Sequence, residues 1–211
     1  MACTDSIVEQ LATSRGRRDE APNIELADRI VQNRDKRAIV QLVDLATSGA
    51  PPIRYDAIKA LFETARHAPD LVLPHLPALL ALLDDPLNRI LWATLQILDV
   101  LTPLAPEKIM AELDRILEAA DRSSVVAKDK LMSILTRLNA DPRFAELVTP
   151  TILLRLAHAA PNQFPTYAEI AATTMNASHR AKLARIIESR MTAIASPTKR
   201  KRLEKVLKTL E

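Results

Sequence analysis

Cysteine occurs once in the 211 residues, at Cys3, which excludes an intrachain disulfide framework and any metal centre built from clustered cysteines. A reducing compartment is the simplest setting, and the chain is expected to be cytoplasmic. Glycine occurs twice, at Gly16 and Gly49. That leaves almost none of the tight glycine turns that join paired strands, and strand-like alternation of apolar and polar residues is missing over any useful length. Aromatic residues make up 3% of the chain, which argues against binding single strands by base stacking. No run approaches the roughly 18 uncharged apolar residues that a membrane helix needs, and the opening MACTDSIVEQLATSRGRR lacks the apolar centre of a signal peptide. No membrane span is therefore expected.

Chemistry is also thinly represented. There is no glycine-rich phosphate loop, no nucleophile elbow and no Cys–His arrangement. His67, His75, His158 and His179 have no second ligand at a recognisable spacing and read as solvated or capping residues. Asp84 and Asp85 are adjacent, so their side chains point in different directions, and they read as helix caps or as hydrogen-bond partners between repeats. Neither an enzyme nor a cofactor is expected.

What the chain does have is 48% hydrophobic residues and fourteen prolines set mostly between apolar runs. In PPIRYDAIKALFETARHAP, residues 51–69, Pro51 and Pro52 suit a first helical turn and Pro69 marks an exit. Ile58, Leu61, Phe62 and Ala65 share one helical face. Asp56, Lys59, Glu63 and Arg66 read as the wet face opposite, with Lys59–Glu63 and Glu63–Arg66 spaced to pair. The same logic predicts helices over 23–33, 36–47, 52–67, 71–83, 87–102, 106–120, 124–139, 143–158, 163–175, 178–195 and 197–210. The core is expected at Leu76, Leu79, Leu80, Leu83, Ile90, Leu91, Leu95 and Leu98, with Trp92 in the same apolar helix. Residues 1–22 read as a flexible segment with a short helix, and 23–211 as one domain closed by the basic helix 197–210.

These helices repeat. Arg54, Arg89 and Lys128 each open the second helix of a pair, 35 and then 39 residues apart. Ala57, Ala60 and Leu61 match Leu131, Ile134 and Leu135 two units later. The stretch Ile53, Arg54, Ala57, Ala60, Leu61 resembles the start of the second helix of a HEAT repeat, and Pro77 and Asp85 resemble that family's first-helix proline and turn aspartate. Ser48, where the first unit would carry the aspartate, and Asn88, before Arg89, depart from the pattern. The pair from Phe164 to Met175 has no basic match. The resemblance, over about residues 36–175, implies an all-α, right-handed α-α superhelix, a HEAT-like or armadillo-like solenoid of about five helical pairs.

Function is less determined. Residues 180–211 hold ten Lys or Arg against three Glu, a balance of +7 in a chain of net charge +3, so the remainder carries −4. Lys199, Arg200, Lys201, Arg202 and Lys205 form a basic block at the start of the last helix, where the helix dipole disfavours positive charge. The solenoid reading implies a protein-interaction scaffold that docks an unidentified protein partner. The alternative is nucleic-acid backbone binding by the basic block, distantly like the HEAT-like DNA-alkylation-repair proteins. Those use tryptophans and an aspartate on a basic surface, whereas this chain has one tryptophan, with Gln96 four places on. Replacing Lys199, Arg200, Lys201 and Arg202 with Ser is expected to abolish any salt-sensitive binding while leaving folding intact. Unchanged affinity in the variant would remove the block from consideration.

Overall fold

The computed structural model describes residues 6–211, so Cys3 lies outside the described residues. The chain divides into two compact units, Met1–Ala127 and Lys128–Glu211, where the sequence reads as one domain over 23–211. Among the described residues every regular element is helical. The first unit contains α1 (Ile7–Gln10), α2 (Ala21–Asn33), α3 (Lys36–Ser48), α4 (Pro51–His67), α5 (Pro69–Val72), α6 (Leu76–Ala81), α7 (Asn88–Leu101), α8 (Pro106–Ala111) and α9 (Leu113–Asp121). Helix α10 (Val125–Asn139) carries the chain across the boundary. The second unit adds α11 (Pro142–His158), α12 (Phe164–Ala172), α13 (Ala177–Met191) and α14 (Pro197–Leu210).

Local chemistry sets most of these ends. Proline occupies the first position of α4, α5, α8, α11 and α14, where its missing N–H has no intrahelical partner to lose. Asp35 caps α3 by accepting from the N–H groups of Arg37 and Ala38, each at 3.0 Å. Gly49 closes α3 because a Cβ there would fall 2.7 Å from the Leu45 carbonyl oxygen. The second helices of successive pairs begin at Pro51, Asn88, Val125, Phe164 and Pro197, steps of 37, 37, 39 and 33 residues.

The sequence-predicted helices differ from the structure in two places. The run 71–83 reads as one helix, but Pro74 and Pro77 cannot donate to the preceding turn, and the segment alternates between α5, α6 and 3-10 turns at Leu73–His75 and Leu82–Asp84. The helix read over 106–120 is interrupted at Glu112, which separates α8 from α9.

Burial follows the apolar pattern more closely. All eight residues of the expected core are buried, with Leu76, Leu79, Leu83, Ile90, Leu95 and Leu98 fully enclosed. Helix α4 is the hub of the first unit, packing on α2, α3 and α7. That position overturns the wet-face assignment of two residues, since Asp56 and Glu63 are both buried. A helix covered on three sides has no wide solvent stripe, so its polar groups need partners inside. Asp56 accepts from the Asn23 side chain at 2.8 Å and from the Thr13 N–H at 2.7 Å, while the Asn23 Oδ1 accepts from the Ala12 N–H at 3.0 Å. Ala12 and Thr13, within the segment 1–22 that reads as flexible, are therefore pinned to α2 and α4, and Leu11 beside them is fully buried.

Two adjacent, fully buried residues of α7 separate packing from polarity. Leu95→Ala is expected to cost about 2–5 kcal/mol through lost burial and a residual cavity. Thr94→Val is expected to raise stability by up to about 1 kcal/mol, because the Thr94 hydroxyl has no hydrogen-bond partner among the described residues. Urea unfolding midpoints check both signs.

Candidate functional site

The first unit contains three aromatic residues, Tyr55, Phe62 and Trp92, and all three line one surface cleft of about 160 Å³. Helix α4 contributes Tyr55, Ile58, Lys59 and Phe62, residues three and four apart that share one edge. Helix α7 contributes Arg89, Trp92, Ala93 and Gln96 at the same spacing, and Glu20 reaches in from the turn before α2. Trp92 is thus not a core residue, as its apolar helix suggests, but half-buried and open to the cleft.

Charge and aromatic faces alternate across this surface. The Arg89 guanidinium stacks 4.9 Å from the centre of the Tyr55 ring, and Lys59 and Arg66 each lie 5.8 Å from that of Phe62. Lys59 Nζ is 2.8 Å from Glu63 and 2.9 Å from Glu20, and the other Glu20 oxygen is 3.2 Å from Arg89. Arg66 closes on Glu63 at 2.9 Å, so both ion pairs expected along α4 form. Burial by itself would push the Glu63 carboxyl up, but the hydrogen bond from Lys59 and the charges of Lys59 and Arg66 outweigh it, and Glu63 titrates below the usual glutamate range.

The repeat-motif residues play a different part. Ala57 and Leu61 are fully buried, and Ile53 and Lys128 are half-buried. Arg54 donates to the Ala46 carbonyl oxygen at 2.8 Å and pairs with Asp85, which also caps the turn by accepting from the Leu87 N–H at 2.9 Å. Arg89 does not copy this arrangement, being directed to Glu20 and Tyr55. Asp84 accepts from Arg115 at 2.6 Å, so the two adjacent aspartates serve contacts between neighbouring repeats.

The basic block divides in two. Lys199 donates to the Asn162 side chain at 2.8 Å. Arg202 makes a two-pronged contact with Glu169 at 2.7 and 2.6 Å and donates to Thr166 at 3.0 Å, which pulls the Glu169 carboxyl below its usual range. These two side chains tie α14 to α12 and to the turn before it, so the fourfold Ser replacement would also loosen the last helix. Arg200, Lys201 and Lys205 are exposed. Arg190, which nothing in its sequence context singles out, donates to the carbonyl oxygens of Leu156 and Ala159, both at 2.6 Å, and stacks 4.4 Å from the centre of Phe164.

The histidines are scattered. His158 Nδ1 lies 2.9 Å from the Leu154 carbonyl oxygen and His179 Nδ1 is 2.7 Å from the Asn176 side-chain oxygen. Among the described residues no three His, Cys, Asp or Glu gather as metal ligands, and no helix is long and apolar enough to cross a membrane.

No protein-family model and no curated sequence matches the chain. Solved structures do. A designed armadillo repeat protein in complex with the peptide (KR)4 superposes with a TM-score of 0.69 at 14% identity, covering 97% of this chain and 98% of that one. A second designed armadillo repeat protein gives 0.66 at 15% identity, and computationally designed armadillo repeat proteins for modular peptide recognition give 0.68 at 14%, each over 97% of this chain and 98% of that one. At such identities the likeness concerns the fold, which is an all-α solenoid of the armadillo and HEAT type.

Glu63 and Glu169 yield a pH dependence of known sign. A carboxyl whose pKa is lower folded than unfolded contributes stability that is complete above the unfolded value and lost as pH falls toward the folded one. The urea midpoint is expected to drop as pH is lowered from about 4.5, the ordinary glutamate value. Replacing both residues with Gln should lower the midpoint at neutral pH and flatten the acid limb. An acid limb as steep as the parent's would acquit these two ion pairs.

Proposed function

We propose that the chain is a non-catalytic, cytoplasmic protein-interaction scaffold that binds an extended peptide segment of its partner at the α4–α7 cleft. The observation that carries this reading is the placement of every aromatic residue of the first unit at that one cleft. Leu, Ile and Ala fill the unit's interior, so Tyr55, Phe62 and Trp92 are not needed to complete the core. Half-buried aromatic side chains with flanking cations provide large, rigid contact area at low entropic cost, the composition that dominates binding hot spots. Solved solenoids of the same fold include designs for peptide recognition, which supports the reading at the level of the fold.

Nucleic-acid binding is the competing class, and Arg200, Lys201 and Lys205 would carry it. Capture from a native lysate, with and without nuclease, separates the two. Retention of a nuclease-resistant protein by the full chain is expected, with loss in Trp92→Ala and no loss when Arg200, Lys201 and Lys205 become Ser. Nuclease-sensitive, salt-labile material lost only in the second variant would overturn the proposal, because phosphate contacts weaken steeply with salt.

A further inference from the structure

The peptide reading leaves the chemistry of the ligand open, and Glu20 narrows it. Glu20 stands at the N-cap of α2, where a carboxylate can accept from the first free N–H groups of its own helix. It makes no such bond. Its two oxygens instead bridge Lys59 of α4 at 2.9 Å and Arg89 of α7 at 3.2 Å, and about half of its side chain remains exposed. The bridge gains little as a surface ion pair, since exposed pairs contribute only about 0–1 kcal/mol. It does satisfy two cations that point into the cleft from different helices.

We infer that Lys59 and Arg89 form a carboxylate-binding subsite of the cleft, filled by Glu20 in the free chain and taken over by an aspartate or glutamate of the bound peptide. This rests on the proposed peptide-binding function and assigns its ligand as acidic. The geometry supplies both halves of the recognition. Arg89 lies over the Tyr55 ring and Lys59 is anchored by the buried Glu63, so ordering either cation costs little when a carboxylate arrives. Glu63 is enclosed and cannot leave, whereas Glu20 lies on a turn and can swing to solvent. With Glu20 withdrawn, Lys59 shares Glu63 with Arg66 and Arg89 loses its carboxylate partner, and the incoming anion restores the charge balance. Trp92 and Phe62 beside them present apolar area for the neighbouring residue of the peptide. The pattern implied is an acidic residue next to a large apolar one. A basic peptide such as (KR)4, bound by one of the designed solenoids, would meet Lys59 and Arg89 with like charge.

The test is fluorescence anisotropy of the full chain with labelled (Glu-Leu)4 and, in parallel, (Lys-Arg)4, with far-ultraviolet circular dichroism confirming that each variant is folded. Glu20→Gln removes the internal competitor and is expected to tighten (Glu-Leu)4 about three- to fivefold, the weight of one exposed ion pair. Arg89→Gln is expected to weaken it about tenfold, as truncation of a charge partner at an interface does. The gain from Glu20→Gln should vanish in the Arg89→Gln background. Equal affinity of (Glu-Leu)4 for the parent, Glu20→Gln and Arg89→Gln, or no binding at all, would overturn the inference. If (Lys-Arg)4 then binds and Trp92→Ala releases it, the peptide-binding function survives and only the acidic assignment falls. Failure of both peptides, together with no protein captured from lysate, would end both.

Discussion

The contact on which each unit depends is a side-chain donor that reaches a helix end one repeat away. The last turn of a helix leaves four carbonyl groups without intrahelical partners. Many proteins meet part of that demand with a left-handed glycine just past the helix, but this chain has only two glycines. Arginine takes the role instead. In the first unit Arg115 donates to the Leu80 carbonyl at 3.3 Å and Arg122 to that of Leu83, 35 and 39 residues away. In the second, Arg190 holds the carbonyls of Leu156 and Ala159 across 34 and 31 residues. These bonds bring a cation to carbonyl groups at or just past the end of a helical segment and tie neighbouring pairs together. Scarcity of glycine and the stacking of the repeats are thus linked through the same atoms.

Buried amides complement these arginines. Asn23 is fully enclosed, donating to Asp56 and accepting from Ala12. In the second unit Asn139 donates to the Thr174 carbonyl at 2.9 Å and accepts from the Thr149 hydroxyl at 2.7 Å, joining α10, α11 and the turn after α12. Polar groups this deep are costly unless every donor and acceptor is met, and a wrong register would strand them. Aliphatic packing alone would tolerate sliding of one helix along another. The amides remove that freedom.

Periodicity made the helices and the core legible, and its failures have physical causes. Positions 76, 79, 83, 95 and 98 follow from 3.6-residue spacing because aliphatic side chains need only be covered. Asp56 and Glu63 obey the same spacing, and their placement on a wet face fails because α4 is covered by α2, α3 and α7 together. A stack encloses its inner helices on more sides than an amphipathic pattern can express. The pinning of Thr13 to Asp56 spans 43 residues and joins a backbone N–H to a carboxylate, so no local pattern announces it. Pro74 and Pro77 were a readable signal, since two prolines three apart within an apolar run cannot sit in one regular helix.

Trp92 shows how the candidate site escaped a reading based on hydrophobicity. Its neighbours Leu91, Ala93 and Leu95 are all buried, and a side chain surrounded in sequence by core residues invites the same assignment. A helix inside a layer still has one edge that faces neither neighbour, and on α7 that edge carries Arg89, Trp92 and Gln96. Arg89 marks the edge, because a guanidinium stays near water and the residue three places on lies above it. On α4 the corresponding marker is Lys59, with Tyr55 and Phe62 on either side. The second unit makes the contrast explicit, for there Phe164 and Tyr167 are buried. Phe144, half-buried with Arg143 over its ring, keeps an edge toward water, so the contrast is between the three cleft aromatics of the first unit and the two packed ones of the second. What distinguishes them in sequence is the cation at helical spacing, and that signal becomes readable once the helices on which it falls are known.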